Sequence, residues 1–241
     1  MITILPLEGL PEIAPGTDLV ALVTDCCKVE DRDVVVLAQK AVSKAEGRVV
    51  RLDDVEPSAF ALQLAGDDGD ARQLEVILRE SKRILRARQS FVIAETRQGF
   101  ICASAGVDAS NTPEEGTLVL LPVDADASAA QLRDGIRERT GRDVGVVISD
   151  SFGRPWRQGT IDVAIGVAGI PALLDLRGTK DARGHELRST QIAVADEIAS
   201  AAELVMGKAN GIPGAIVRGL RLDGEGTAAD IPIPEDRDLF R

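Results

Sequence analysis

Two strand-like runs, residues 90–95 and 100–107, are separated by only Thr96-Arg97-Gln98-Gly99. So short a connection returns the chain antiparallel to itself, because a parallel neighbour needs a crossover of about a dozen residues or more. Elsewhere strand-like and helix-like segments are interleaved, the pattern of parallel βαβ units. The hairpin breaks that alternation in mid-chain and argues against a simple doubly wound sheet. The expected fold class is α+β, with mixed and antiparallel sheets packed against helices.

Ahead of the hairpin, residues 2–5 and 33–38 read as strands, with a helix over residues 18–27 between them. Residues 48–52 read as a further strand. Over residues 70–86, Leu74, Ile77, Leu78, Ile84 and Leu85 fall on one helical face and Ser81 fills the remaining slot, which predicts one amphipathic helix. Beyond the hairpin, residues 117–121 form a strand, and Asp126-Ala127-Ser128 can cap a helix running to about Arg139. Residues 144–149 are strand-like, the Gly-rich residues 160–169 read as irregular strand, and the Ala-rich residues 190–206 as a helix. Residues 215–218 read as the last strand, followed by a loosely ordered tail beyond Asp223. No linker, repeat or low-complexity tract divides the chain, so residues 1–241 are expected to form a single unit, at most two intertwined subdomains.

Composition narrows the function classes. A net charge of −11, with five Phe, one Trp and no Tyr, lacks the basic face and stacking aromatics of a polynucleotide binder. The first residues carry no basic segment leading into a long apolar run, and no stretch approaches a membrane span, so no membrane partner and a cytoplasmic location are expected. Cys26 and Cys27 are adjacent and Cys102 stands alone, a pattern that is neither a disulfide framework nor CxxC and reads as small buried hydrophobes. The single histidine, His185, excludes a multi-histidine zinc cage, and its polar setting reads as surface.

Four loop segments carry polar residues at the ends of apolar runs. Gly9-Leu10-Pro11-Glu12-Ile13 is an early turn. Gln39-Lys40-Ala41-Val42-Ser43-Lys44-Ala45-Glu46-Gly47 follows the strand at residues 33–38, where two lysines and a serine can hold phosphate oxygens. Gly106-Val107-Asp108-Ala109-Ser110-Asn111 and Ser149-Asp150-Ser151-Phe152-Gly153-Arg154-Pro155-Trp156-Arg157 each set an aspartate after an apolar run, with hydroxyl or amide groups beyond it. One or two carboxylates, hydroxyls, waters and substrate phosphates are what Mg²⁺ and Mn²⁺ favour. Taken singly, each aspartate is equally a turn residue. Trp156 reads either as a ring-binding residue or as core packing.

In their order along the chain these segments resemble the coenzyme F420:L-glutamate ligases, also called F420-0 γ-glutamyl ligases. The resemblance runs from Leu5-Pro6 to Val217-Arg218-Gly219. It is carried by Val42-Ser43-Lys44-Ala45-Glu46-Gly47-Arg48, Ala105 to Asn111, Leu121-Pro122-Val123-Asp124, Ser149 to Arg157, and Ala193-Val194-Ala195-Asp196-Glu197. It implies an unusual family-specific mixed fold and a homodimer. The small residues of 160–169 and 193–202 can pack closely, as such an assembly needs. It further implies GTP contacts at Leu10, Pro11, Glu12, Ile13, Gln39, Lys44, Asn111, Gly207 and Lys208. Metal ligation falls to Asp108, Asp150 and Ser151, and catalytic roles to Asp108, Asp150 and Arg154. The implied cofactors are Mg²⁺ or Mn²⁺, with K⁺ as a further cation; the partners are GTP, L-glutamate and a deazaflavin precursor. Some related chains carry an additional C-terminal flavin-dependent reductase domain; none is expected here.

The implied reaction suits a chain with one histidine. Transfer of the GTP γ-phosphoryl group to the precursor carboxylate gives an acyl phosphate, and the glutamate amine displaces phosphate from it. Such chemistry needs charge neutralisation and positioning rather than a Ser-His-Asp or Cys-His set. Further γ-linked glutamate additions would follow the same course. Two other classes use similar residues: a metal-dependent phosphohydrolase, and a non-catalytic nucleotide-binding subunit.

Overall fold

The computed structural model describes residues 1–67 and 69–239. The chain runs β1 (Thr3–Pro6), α1 (Leu19–Cys26), β2 (Val34–Ala38), α2 (Gln39–Ala45), β3 (Val49–Arg51), α3 (Ala59–Ala65), α4 (Ala71–Glu80), β4 (Ser81–Arg88), β5 (Phe91–Thr96), β6 (Ile101–Ala103) and β7 (Thr117–Val119). It continues through α5 (Ala125–Thr140), β8 (Gly145–Arg154), β9 (Arg157–Ala168), β10 (Leu174–Asp175), β11 (Gln191–Ile192), α6 (Val194–Met206) and β12 (Gly214–Arg218). The fold is mixed α+β, as the hairpin demands.

The central sheet has five strands in the order β1-β12-β2-β8-β9. Within it β2 and β8 run parallel, in register from Val34 opposite Gly145 to Ala38 opposite Ser149. The other pairs are antiparallel. The apolar run of β2 follows from burial on both faces. Val35, Leu37, Val146 and Ile148 pack with residues of α1 and α5 on one face. Val34, Val36, Val147 and Ala215 pack under α6 on the other. A third core, around Leu74, Ile77, Val92, Ala94 and Leu118, binds α3 and α4 to the sheet of β4, β5 and β6.

That three-stranded meander overturns the helix expected over residues 70–86. Helix α4 ends at Glu80, where Ser81 turns extended and its hydroxyl donates to the Ile77 carbonyl at 2.6 Å. Ile84 and Leu85 lie on β4, whose backbone pairs with β5. Helical spacing continued by coincidence past the point where strand pairing wins. The expected loop at residues 39–47 is largely the short helix α2. The expected loop at residues 149–157 is not a loop either: β8 continues to Arg154 and turns through Pro155-Trp156 into β9.

Smaller differences have local causes. Asp124, not Asp126, caps α5 by accepting from the Ala127 N–H. Asp126 instead accepts from the N–H groups of Val167 and Ala228. Residues 160–168 lie on β9, a long strand whose register is broken once, at Ile165. Gly166 is needed there because a Cβ would collide with the Ala125 carbonyl. Helix α6 begins at Val194, since Gln191 and Ile192 pair with β10. The small residues of 160–169 and 193–202 are used within one chain, where α6 packs on β9 through Ala195, Ile198, Ala199 and Ala202. The tail is tied down as well: Thr227 and Asp230 form a reciprocal cap, Ala228 is fully buried, and Arg83 reaches Glu235 at 3.0 Å. Residues 240–241 of that tail lie outside the described residues. Among the described residues no helix is long and apolar enough to cross a membrane.

Candidate active site

Beyond the end of β2, strand β8 continues with β9 alone, and a cleft of about 630 Å³ opens there. The carboxyl ends of parallel strands are where open α/β sheets collect ligands, because side chains from several loops converge around exposed backbone groups. Leu10, Pro11, Glu12 and Ile13 line the cleft from the loop after β1, Lys40 and Lys44 from α2, and Asn111 from the segment before β7. Asp150 and Ser151 enter from β8, and Gly207 and Lys208 from the residues beyond α6.

These groups are tied to one another across the opening. Lys44 Nζ meets Glu12 Oε1 at 2.6 Å. The Asn111 amide donates to the Lys208 carbonyl at 3.3 Å. Lys40 Nζ pairs with Asp108 Oδ2 at 2.7 Å and donates to Ser110 Oγ at 2.8 Å, which joins Asp108 to the cleft through Lys40. Asp108 does not itself line the cleft, and two further expected residues stand apart from it. Gln39 is buried, does not line the cleft, and has no hydrogen-bond partner for either amide atom. Arg154 sits at the end of the β8–β9 hairpin, where Nη2 donates to the Gln158 carbonyl at 3.4 Å. Trp156 is 85% exposed, so it is not core. His185 is at the surface, as its polar setting implied.

Electrostatics divide the two aspartates. Burial pushes Asp150 up to about 7; the Ser151 N–H and Lys208 act against this, while Asp108 and Asp162 reinforce it. Burial also works to raise Asp108, but hydrogen bonds from Lys40 and Ser110 outweigh it and hold Asp108 below its ordinary value. The Cys102 thiol, buried and near Asp150, is pushed up to about 12, which makes it inert at neutral pH.

Among the described residues no group of three or more His, Cys, Asp or Glu is gathered closely enough to hold a metal ion unaided. The donors present nonetheless fit a hard divalent cation shared with a substrate phosphate. Such ions take one or two carboxylates and a hydroxyl from protein, the rest from phosphate and water. Asp150 also carries the mutual repulsion of neighbouring carboxylates that a cation relieves.

Asp162 and Glu203 also line the cleft, and sequence reasoning missed both. Asp162 could have been found: in Thr160-Ile161-Asp162-Val163-Ala164 the strict alternation of a strand puts it on the Ala164 face. Reading residues 160–169 as irregular strand hid that period.

The model of the F420-0:gamma-glutamyl ligase family matches residues 9–219. The chain belongs to that family. Its relatives include the coenzyme F420:L-glutamate ligase of Methanopyrus kandleri, 48% identical over 98% of this chain and 95% of that protein. The enzyme of the same name from Archaeoglobus fulgidus is 43% identical over 100% of this chain and 96% of its own length. That of Methanothermobacter thermautotrophicus is 40% identical over 100% and 99%. The ligase-family match contains every residue lining the cleft, from Leu10 to Pro213.

Proposed function

We propose that this chain joins L-glutamate to the carboxylate of the deazaflavin precursor F420-0, using GTP and a divalent cation. The observation that carries the reading is one cleft in which Lys40, Lys44 and Lys208 face Asp150 and Ser151. Lysines of this kind suit a triphosphate; carboxylate and hydroxyl oxygens suit the hard cation that accompanies it. Membership of the ligase family supplies the substrates.

Asp108, Asp150 and Ser151 would hold Mg²⁺ or Mn²⁺, which offsets charge on the phosphates when two anions must approach. Leu10 to Ile13, Lys44, Asn111, Gly207 and Lys208 would hold the nucleotide. In the reaction a carboxylate oxygen of F420-0 attacks the γ-phosphorus, and the bond to the β-bridging oxygen breaks to release GDP. The glutamate α-amine then attacks the acyl carbon, loses a proton and expels phosphate. The chain's residues act by positioning and by neutralising charge. Homodimer formation and a cytoplasmic location belong to the same reading. Light scattering tests the first; the 25.5 kDa monomer mass at micromolar concentration would contradict it.

The test is mass spectrometry of deazaflavin products after incubation with L-glutamate, Mg²⁺ or Mn²⁺, and either GTP or ATP. Glutamylated product with GTP, and much less with ATP, is expected. Phosphate release that ignores glutamate would favour phosphohydrolysis, and a lack of turnover by the purified chain a binding subunit.

A further inference from the structure

The geometry points to Asp162 as a positioning residue that holds the Ser151 hydroxyl proton away from the cleft, so that Ser151 presents only oxygen lone pairs to a cation. This rests on the metal-dependent reading of the cleft and adds to it a residue whose role is to set the polarity of a ligand.

The carboxylate of Asp162 is shared between two hydroxyls. Ser149 Oγ donates to Oδ2 at 2.9 Å, and Ser151 Oγ donates to Oδ1 at 2.5 Å. A serine hydroxyl has one proton and two lone pairs. Once that proton is given to an acceptor-only carboxylate, the oxygen has nothing left to donate. Ser151 can then accept from, or ligate, whatever enters the cleft, but it cannot hydrogen-bond a phosphate oxygen as donor. Asp162 is itself 5% exposed. Its backbone carbonyl accepts from Ser200 Oγ at 2.7 Å, which anchors it to α6.

The strand register shows how the fold achieves this. Ile148 lies opposite Gly166, yet Ser149 lies opposite Ala164, so Ile165 is an extra residue on β9. Without this bulge Asp162 would lie opposite Phe152, on the strand face that carries Asp150 rather than Ser151. With it, Asp162 lies opposite Ser151. Bulges next to functional sites re-aim side chains in this way.

The experiment measures Mn²⁺ binding to the chain saturated with a non-hydrolysable GTP analogue, by electron paramagnetic resonance, for wild type, Ser151→Ala, Asp162→Ala, Asp162→Asn and the Asp162→Ala/Ser151→Ala double variant, with melting curves to confirm folding. Asp162→Ala is expected to weaken Mn²⁺ binding about tenfold or more, the usual effect of losing a partner that orients a ligand. The double variant should bind no more weakly than Ser151→Ala alone, because Asp162 acts through that serine. Asp162→Asn, isosteric and still an acceptor at one oxygen, should fall between wild type and Asp162→Ala. Losses that multiply in the double variant would make Asp162 a ligand in its own right and overturn the proposal. Unchanged binding in folded Asp162→Ala would overturn it too. Wild-type chain that binds no Mn²⁺ would sink both the proposal and the metal reading, whereas the two preceding outcomes leave the metal reading standing.

Discussion

Asp196, in the first turn of α6, accepts a hydrogen bond from the Ala164 N–H of β9 at 2.9 Å. Ala164 is the residue at which β9 resumes its register after the bulge, so this bond pins the strand that carries Asp162. Asp196→Ala would strand a half-buried N–H, at a cost of about 1–3 kcal/mol. Its melting temperature should fall, and exchange of the Ala164 amide should quicken. Asp196→Asn keeps an acceptor oxygen and should behave differently. Burial raises Asp196 above its ordinary 3.8, with the Ala164 N–H acting against it. The native state therefore binds the proton more tightly, and this contribution to stability is lost as pH rises from the ordinary value through the folded one. The asparagine does not titrate, so its melting temperature relative to wild type should climb over that window and then level off. A difference that stays flat with pH would contradict the assignment.

Glu95 gives the opposite sign. Lys82 donates to Oε1 at 2.7 Å and Arg83 to Oε2 at 2.6 Å. The Lys82 hydrogen bond leads in lowering its pKa, burial opposes, and Arg83 adds to the lowering. Stability from this group is present above its ordinary 4.5 and is lost as pH falls through the lower folded value. Glu95→Gln should melt about 2–4 °C below wild type at pH 7, the shift expected for about 1 kcal/mol in a chain of this size. The gap should close under acid conditions. Thermal melts across pH check both halves of the statement.

Much of the frame was legible because burial writes itself into apolar runs. The strand at residues 33–38, the helix capped by Asp18, and the antiparallel hairpin around Thr96-Arg97-Gln98-Gly99 all appear where local pattern and tertiary packing agree. Legibility failed where two periods overlap. Leu74, Ile77 and Leu78 belong to a helix, Ile84 and Leu85 to a strand, and helical spacing continues across Ser81 although the backbone does not. At the site, residues at the ends of apolar runs could be picked out one at a time. What could not be read was which of them meet. Lys40 with Asp108, and Ser151 with Asp162, are pairs separated along the chain and joined only by strand order and register.

The hairpin tip offers a test of one such ambiguity. Trp156 follows Pro155 at the turn and has φ 56°, in the left-handed region that a non-glycine residue rarely adopts. A non-glycine residue there costs about 1–2 kcal/mol. Trp156→Gly should therefore melt at or slightly above the wild-type temperature. Removing a core tryptophan would instead cost about 3–5 kcal/mol and lower the melt strongly. A steep loss of stability would instead show that contacts of the exposed indole outweigh the backbone strain.

The final prediction concerns Asp108 and Asp150, which the proposed mechanism gives the same task and the fold gives opposite environments. Asp150 is a carboxylate pushed up to about 7 by burial and by its acidic neighbours, so its charge works against the metal-free fold. Asp108 is a carboxylate held low through its ion pair to Lys40, so its charge supports the fold. Asparagine matches aspartate in size at both positions and removes the charge. Without divalent cation, Asp150→Asn should match or exceed the wild-type melting temperature, and Asp108→Asn should fall below it. Ligation should drop in both by about 100-fold or more, the scale seen when one electrostatic contact to a transition state is removed. Mn²⁺ added with a non-hydrolysable GTP analogue should raise the melting temperature of the wild type by mass action, and that of neither variant to the same extent. Residues with a structural role alone would still show the metal-free melting difference, but neither activity nor cation dependence would move. Melting curves with and without Mn²⁺, beside steady-state ligation rates, decide the matter; near-normal turnover in either folded variant would remove that aspartate from the site.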